Sequence, residues 1–309
     1  MLPFKLVYHP HYDLDLGAHV FPSRKYRLIH DQLLDEGFAE LMDFTLPQPV
    51  SDEDILRVHE ADWVQRLKTG TLAPHEILRL EIPYSKRMVE AFWLATGGTI
   101  LAARQALEDR IGFNIGGGFH HAFPGHGEGF CAIHDVAVAI RALQHGRIIE
   151  RAIVVDCDVH HGNGTAAIFA GDPSVLTLSI HQFNNYPSEK PPSVIDIHLR
   201  DGVSDDEYLE RLRGVLKVAM SFGPNMIFYL AGADPFREDQ LGGLSLTMEG
   251  LKQRDRAVFE MGLELSVPVV VTLAGGYARN TGDTVAIHCN TVKAARRRLH
   301  VNDHAPNRR

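Results

Sequence analysis

Short apolar runs rich in β-branched residues recur along the chain, separated by longer stretches in which apolar positions return every three or four residues. The runs "KLVYH" (5–9), "RIGFNIG" (110–116), "RAIVVDCDV" (151–159), "SVLTLSIH" (174–181), "MIFYLAGAD" (226–234) and "VPVVVTLAGG" (267–276) predict strands. Helical spacing predicts helices over 23–36, 51–68, 85–108, 135–145, 205–221 and 247–264. Runs apolar on both faces need helical cover on both sides, so the alternation predicts an α/β fold with a mostly parallel central sheet between helix layers. No linker, low-complexity tract or repeat divides the chain. One domain over residues 1–290 is therefore expected, with 291–309 as a basic, partly disordered tail.

The polar clusters have a common address. "GGGFHH" (116–121), "DCDVHHGNG" (156–164), "SIH" (179–181), "GAD" (232–234) and "GGY" (275–277) all fall at the C-terminal ends of predicted strands. In open α/β sheets ligands bind along that edge, so distant segments are expected to converge on one site.

Within that site the residue types point to a metal. On an extended strand Asp156, Asp158 and His160 would face one way while Cys157 and Val159 point into packing. Two carboxylates and an imidazole side by side are poor core material, because unpaired buried charge is costly and like charges repel. A bound cation removes both difficulties, and Asp-x-His suits zinc, ferrous iron or manganese. Asp234 of "GAD" offers a third carboxylate. In "GGGFHH" the glycines allow close backbone approach, and His120 with His121 offers a general base and an electrostatic helper. Gly275 and Gly276 bring backbone close to the same edge, and the Tyr277 phenol could donate to a developing oxyanion. His126, in the polar turn "PGHGEG", reads as a loop residue.

Composition narrows the setting. Of 309 residues 45% are apolar and 23% charged, and the net charge is −8 although the last 19 residues carry six Lys/Arg against Asp303. A body this acidic argues against nucleic-acid binding. The cysteines Cys131, Cys157 and Cys289 are scattered and odd in number, which suits a reducing compartment. No apolar run approaches the roughly 18 residues of a membrane span, and the N-terminus carries no secretory pattern, so a soluble cytoplasmic protein without membrane partners is expected.

The motifs "GGGFHHAFPGHGEGFCAIHDVAVAI", "VVDCDVHHGNGTAAIF", "TLSIH", "LAGADPFREDQLGGLSLT" and "LAGGYA" together resemble the zinc-dependent histone deacetylase superfamily in content and order, over about residues 5–290. "YHPHYDLDLGAHVFPSRKYRLI" and "AGGYA" are most similar to its bacterial class IV-like branch. The resemblance implies an arginase/deacetylase-type fold and a single deacetylase-like catalytic domain. It implies that Asp158, His160 and Asp234 bind the catalytic zinc, or ferrous iron in vivo; that His121 is the general base; and that His120, paired with Asp156, is the electrostatic histidine. It further implies that Tyr277 and zinc stabilise the oxyanion, and that Asp156 and Ser179, with backbone carbonyls of Asp158, His160 and Ile180, hold a structural potassium or sodium ion. Phe130, beside Gly129, resembles one wall of an acyl-lysine tunnel and Tyr186 the other, with Gly275 and Gly276 lining it. The implied reaction removes an acyl group, typically acetyl, from acyl-lysine in a peptide or from a small acylated amine.

Two positions depart from the family pattern. Asn163 stands where some members have an aspartate beside the general base; an amide orients an imidazole but adds no charge, which predicts a less basic His121. His134 in "CAIHD" stands where an asparagine is common and reads as a capping or supporting group. The alternatives are a manganese ureohydrolase-like enzyme, which would want more carboxylates for two metals, and a catalytically silent acyl-lysine-binding module. Oligomeric state and native substrate stay open.

Overall fold

The computed structural model describes the backbone of residues 1–302 and side chains through residue 296. The strands are β1 (Leu6–Val7), β2 (Phe44–Thr45), β3 (Ile111–Asn114), β4 (Ala152–Asp156), β5 (Val175–Gln182), β6 (Ile195–Leu199), β7 (Met226–Leu230) and β8 (Val269–Thr272). They form one eight-stranded sheet in the order β2-β1-β3-β8-β7-β4-β5-β6, with every pairing parallel. The helices are α1 (Lys25–Asp35), α2 (Asp52–Ile55), α3 (Ala61–Thr69), α4 (Pro74–Leu80), α5 (Lys86–Asp109), α6 (Asp135–His145), α7 (Asn163–Ile168), α8 (Asp205–Met220), α9 (Met248–Leu265) and α10 (Thr281–Asn302).

Strand periodicity splits the core into two layers. In β4 and the residue after it, Ile153, Val155 and Cys157 enter the larger cluster with Leu212 of α8, Val258 of α9 and Val285 of α10. Ala152 and Val154 point the other way, into a cluster with Ala102 of α5 and Ile140 of α6. Successive side chains of a strand face opposite sides, so a run apolar throughout is buried only if both faces are covered. The outcome is a three-layer α/β/α sandwich.

Several elements differ from the sequence expectation, each for a local reason. The predicted helix 51–68 is two helices, α2 and α3. Between them the His59 imidazole accepts from His134 N (2.9 Å) and bonds Phe123 O (3.0 Å), and Glu60 N donates to Pro124 O (2.8 Å), which pulls the backbone out of helical geometry. β6 lies at the sheet edge with most residues only part-buried, so its apolar signal is weak. β4 ends at Asp156 rather than 159. Asp158 N donates to Asp156 Oδ1 (3.1 Å) and His160 N to Asp158 Oδ1 (3.0 Å), so each carboxylate caps the amide two residues on and turns the chain. The expected boundary at 290 falls inside α10, where Lys293 pairs with Glu36 (2.5 Å) and Arg296 lies over the Phe38 ring; residues 303–309 lie outside the described residues.

Candidate active site

The C-terminal ends of β3, β4, β7 and β8 meet at a buried polar cluster. Asp158, His160 and Asp234 are each almost wholly buried, and one ligand atom of each lies within 4.8 Å of the others. His160 Nδ1 is 2.9 Å from Asp158 Oδ1 and 3.4 Å from Asp234 Oδ2. The second Asp158 oxygen accepts from Gly275 N (2.8 Å), and Asp234 Oδ1 accepts from Val159 N (2.9 Å), so backbone donors orient both carboxylates. Gly275 is required here: a Cβ on it would collide with the carboxylates of Asp234 and Asp158. Behind the loops, buried Arg254 donates to Gly232 O (2.5 Å) and Cys157 O (3.4 Å), tying the two ligand-bearing segments together.

Electrostatics separates the adjacent histidines. His120 Nδ1 lies 2.7 Å from Asp156 Oδ2, and its Nε2 is 3.7 Å from Asp158 Oδ1. Burial alone would lower its pKa, but the two carboxylates outweigh burial and push it up to about 9. His121 is held well below the ordinary imidazole value by burial and by the neighbouring His120 and His160. Its Nδ1 lies 2.7 Å from Asn163 Oδ1, and Asn163 Nδ2 donates to Glu128 Oε1 (2.5 Å). The Glu128 carboxyl is kept below its usual range, burial being outweighed by hydrogen bonds from His126, Asn163 and Tyr186. An ionised carboxylate only accepts, which fixes the Asn163 amide with its oxygen toward His121. His121 must then carry its proton on Nδ1, leaving the Nε2 lone pair free.

Glu128 was invisible as a site residue in the sequence. It sits in the polar turn assigned to a loop, 35 residues from Asn163. Also unanticipated are Arg254 and Lys25 of α1, the latter fully buried, its Nζ donating to Ala274 O (2.7 Å) and lying over the Tyr277 ring. Burial pulls its pKa down to about 8 against the opposing carboxylates of Asp234 and Asp158. His134 caps α6 by accepting from Ala137 N (3.2 Å) and bonds Thr165 Oγ1 (2.9 Å).

Tyr277 lies between Phe21 (6.1 Å), Phe130 (5.9 Å) and His160 (6.2 Å), ring centre to ring centre, and Asp239 accepts from its backbone N–H (2.6 Å). A narrow cavity runs past Phe130, Tyr277, Gly129 and His121 to Asp158. Gly129 has φ +52°, and a Cβ there would press on His121 (2.7 Å) and Tyr186 (2.9 Å). Tyr186 stands edge-on to His121 (4.9 Å) and donates to Glu128 Oε1 (3.1 Å). Gly276 has φ +142° and follows Gly275 in the loop after β8. Asp156 and Ser179 are direct register partners on β4 and β5, one step from Ile180. A larger open cleft near His9, Gln48 and Trp93 contains none of these residues.

An all-parallel sheet between two helix layers, with an Asp/His/Asp cluster at its C-terminal edge, defines the arginase/deacetylase class of fold. A family model described as histone deacetylase domain matches residues 19–292, and the chain belongs to that family. It is 41% identical to an uncharacterized protein of Picosynechococcus over 95% of this chain and 98% of that one. It is 30% identical to Histone deacetylase 2 of Arabidopsis thaliana, over 91% of this chain and 76% of that protein. The crystal structure of the HDA15 HD domain superposes with a TM-score of 0.78 at 24% identity, covering 94% of this chain and 90% of that one.

Membership of this family implies a divalent metal, and the residues present fit one. Asp234 Oδ2 is buried without a hydrogen-bond partner, beside His160 Nδ1 and the carboxylate of Asp158. Two carboxylates and one imidazole are a donor set for a catalytic zinc or a similar ion.

Proposed function

We propose that the chain is a zinc-dependent amidohydrolase that removes an acyl group, acetyl foremost, from acyl-lysine or a related acylated amine, and that it sits nearest the class IV-like branch of its family. The observation that carries the reading is the juxtaposition of a neutral His121, its Nε2 lone pair free, with Asp158 of the buried Asp158/His160/Asp234 donor set along one narrow cavity. When bound by those three residues, zinc would activate water at neutral pH and polarise the acyl carbonyl. His121 takes the proton from the attacking water, Tyr277 donates a hydrogen bond to the tetrahedral oxyanion, and a protonated histidine passes a proton to the leaving amine. The amide C–N bond breaks to a carboxylate and a free amine. Asp156 serves by holding His120 charged beside the cluster, where it supports developing negative charge. Asp156 and Ser179 also supply side-chain oxygens for a structural potassium or sodium ion, completed by carbonyls of Asp158, His160 and Ile180. Phe130 and Tyr186 flank the acyl-lysine stem.

The test is amine release from acetyl-lysine peptides, acetylpolyamines and long-chain acyl-lysine by metal-depleted, zinc-restored and Tyr277→Phe protein. Turnover that returns with zinc and collapses in the variant supports the reading and names the substrate class. Acyl-lysine binding without turnover, or guanidine hydrolysis in its place, would overturn it.

A further inference from the structure

A second group of metal-binding side chains gathers behind the loop that carries His160. His161 follows that residue, His181 lies in β5 and Asp196 in β6, and one ligand atom of each lies within 4.8 Å of the other two. In the β5–β6 ladder Ser179 pairs with Asp196 and His181 with His198, so these four side chains share one face of the sheet. His161 and His181 are fully buried, whereas Asp196 is part-buried and His198 exposed, which opens the group to solvent from the sheet edge.

The hydrogen bonds around this group are incomplete in an informative way. Asp196 Oδ2 accepts from Ser193 N (2.9 Å), but Oδ1, 3.2 Å from His161 Nε2, has no hydrogen-bond partner. His161 Nδ1 is also buried without a partner, and Nε2 reaches Ser193 Oγ only at 3.5 Å. Buried polar atoms rarely go unsatisfied, and Asp196 Oδ1, with the His161 ring beside it, asks for an occupant. Ligand atoms on a tetrahedral ion with bonds of about 2.0 Å stand about 3.3 Å apart, close to the His161–Asp196 separation. The supporting contacts are also in place. Ligating imidazoles are oriented through their other nitrogen; Ser179 Oγ holds His181 at Nδ1 (2.9 Å), and Nε2, which bonds His198 Nδ1 (2.9 Å), would exchange that contact for the ion. Ser193 N fixes the Asp196 carboxylate with Oδ1 turned inward.

We propose that His161, His181 and Asp196 form a second divalent-cation site, separate from Asp158/His160/Asp234, with His198 at its mouth. Two imidazoles and a carboxylate select a borderline transition metal, zinc foremost, over calcium or magnesium. The ion ties the edge strand β6 to the residue next to His160, bracing the catalytic loop from behind.

Metal-depleted protein is dialysed against micromolar Zn²⁺ and zinc per chain is counted by mass spectrometry for wild type, Asp196→Asn and Asp158→Ala. Asn keeps the volume and the acceptor for Ser193 N–H. Two ions per chain are expected for wild type and one for each variant, with an anomalous zinc peak between His161, His181 and Asp196 in wild-type crystals. A single ion in wild type, or two retained in Asp196→Asn, overturns the proposal. Should Asp196→Asn fail to fold by circular dichroism, the wild-type anomalous map decides alone.

Discussion

His120 leans directly on a carboxylate, whereas His121, the next residue, leans on an amide that in turn leans on a carboxylate. That single inserted amide divides two neighbouring imidazoles. With Asp156 at 2.7 Å, His120 is raised to about 9 and stays charged at neutral pH. Burial and the neighbouring His120 and His160 hold His121 down, and Asn163, which passes on the orientation that Glu128 imposes but not its full charge, does not offset them, so His121 stays neutral with its lone pair free. Paired titratable groups pushed apart by their surroundings take different roles: His121 is the base and His120 the standing positive charge.

The largest expected effect would come from removing the centre that both histidines serve. Asp158→Ala should lose the catalytic metal and lower turnover by about 10³-fold or more, read by zinc content and amine release together. Next, His121→Ala should lower kcat by about 10²–10⁴-fold with little change in KM, the mark of a lost base rather than lost binding. Glu128→Gln is smaller and more pointed. Its amide can donate to Asn163, releasing the constraint that fixes the His121 tautomer, and kcat should fall about tenfold with zinc content unchanged.

A stability measurement extends the contrast to a third histidine. Burial holds His59 down to about 4, below its ordinary 6.5, and its two ring nitrogens are used by Phe123 O and His134 N. A group with a depressed pKa stabilises the fold above its unfolded value and loses that contribution as pH falls. Urea unfolding should therefore show stability declining from about pH 6.5 to 4, by about 3 kcal/mol from this residue, and His59→Gln should flatten that slope.

What the sequence made legible follows from what it encodes locally. β4, β5, β7 and β8 are buried throughout and mostly apolar because both faces are covered, and the polar clusters at their C-terminal ends announce the site edge. α5 and α6 carry clear helical spacing and appear within a residue of their expected limits. The edge strand β6 was hidden by its half-exposed pattern, and the break between α2 and α3 by contacts from residues 123–134. At the site, the motifs indicated which groups gather. They could not show that the negative charge missing at Asn163 is supplied one hydrogen bond further on by Glu128, nor that Lys25 and Arg254 are buried beneath the cluster, because those partners are far apart in the chain.

The measurement that bears most directly on the division between the two histidines is the pH dependence of kcat/KM for zinc-loaded wild type and Asn163→Asp. A neutral base held below the ordinary imidazole range loses activity only well into acid, so the wild-type acidic limb should lie below pH 6.5. An aspartate at 163 adds full negative charge beside Nδ1 and should move that limb upward, toward the value expected for a directly paired histidine like His120. A limb that stays in place, or moves downward, would contradict the assignment of His121 as the base.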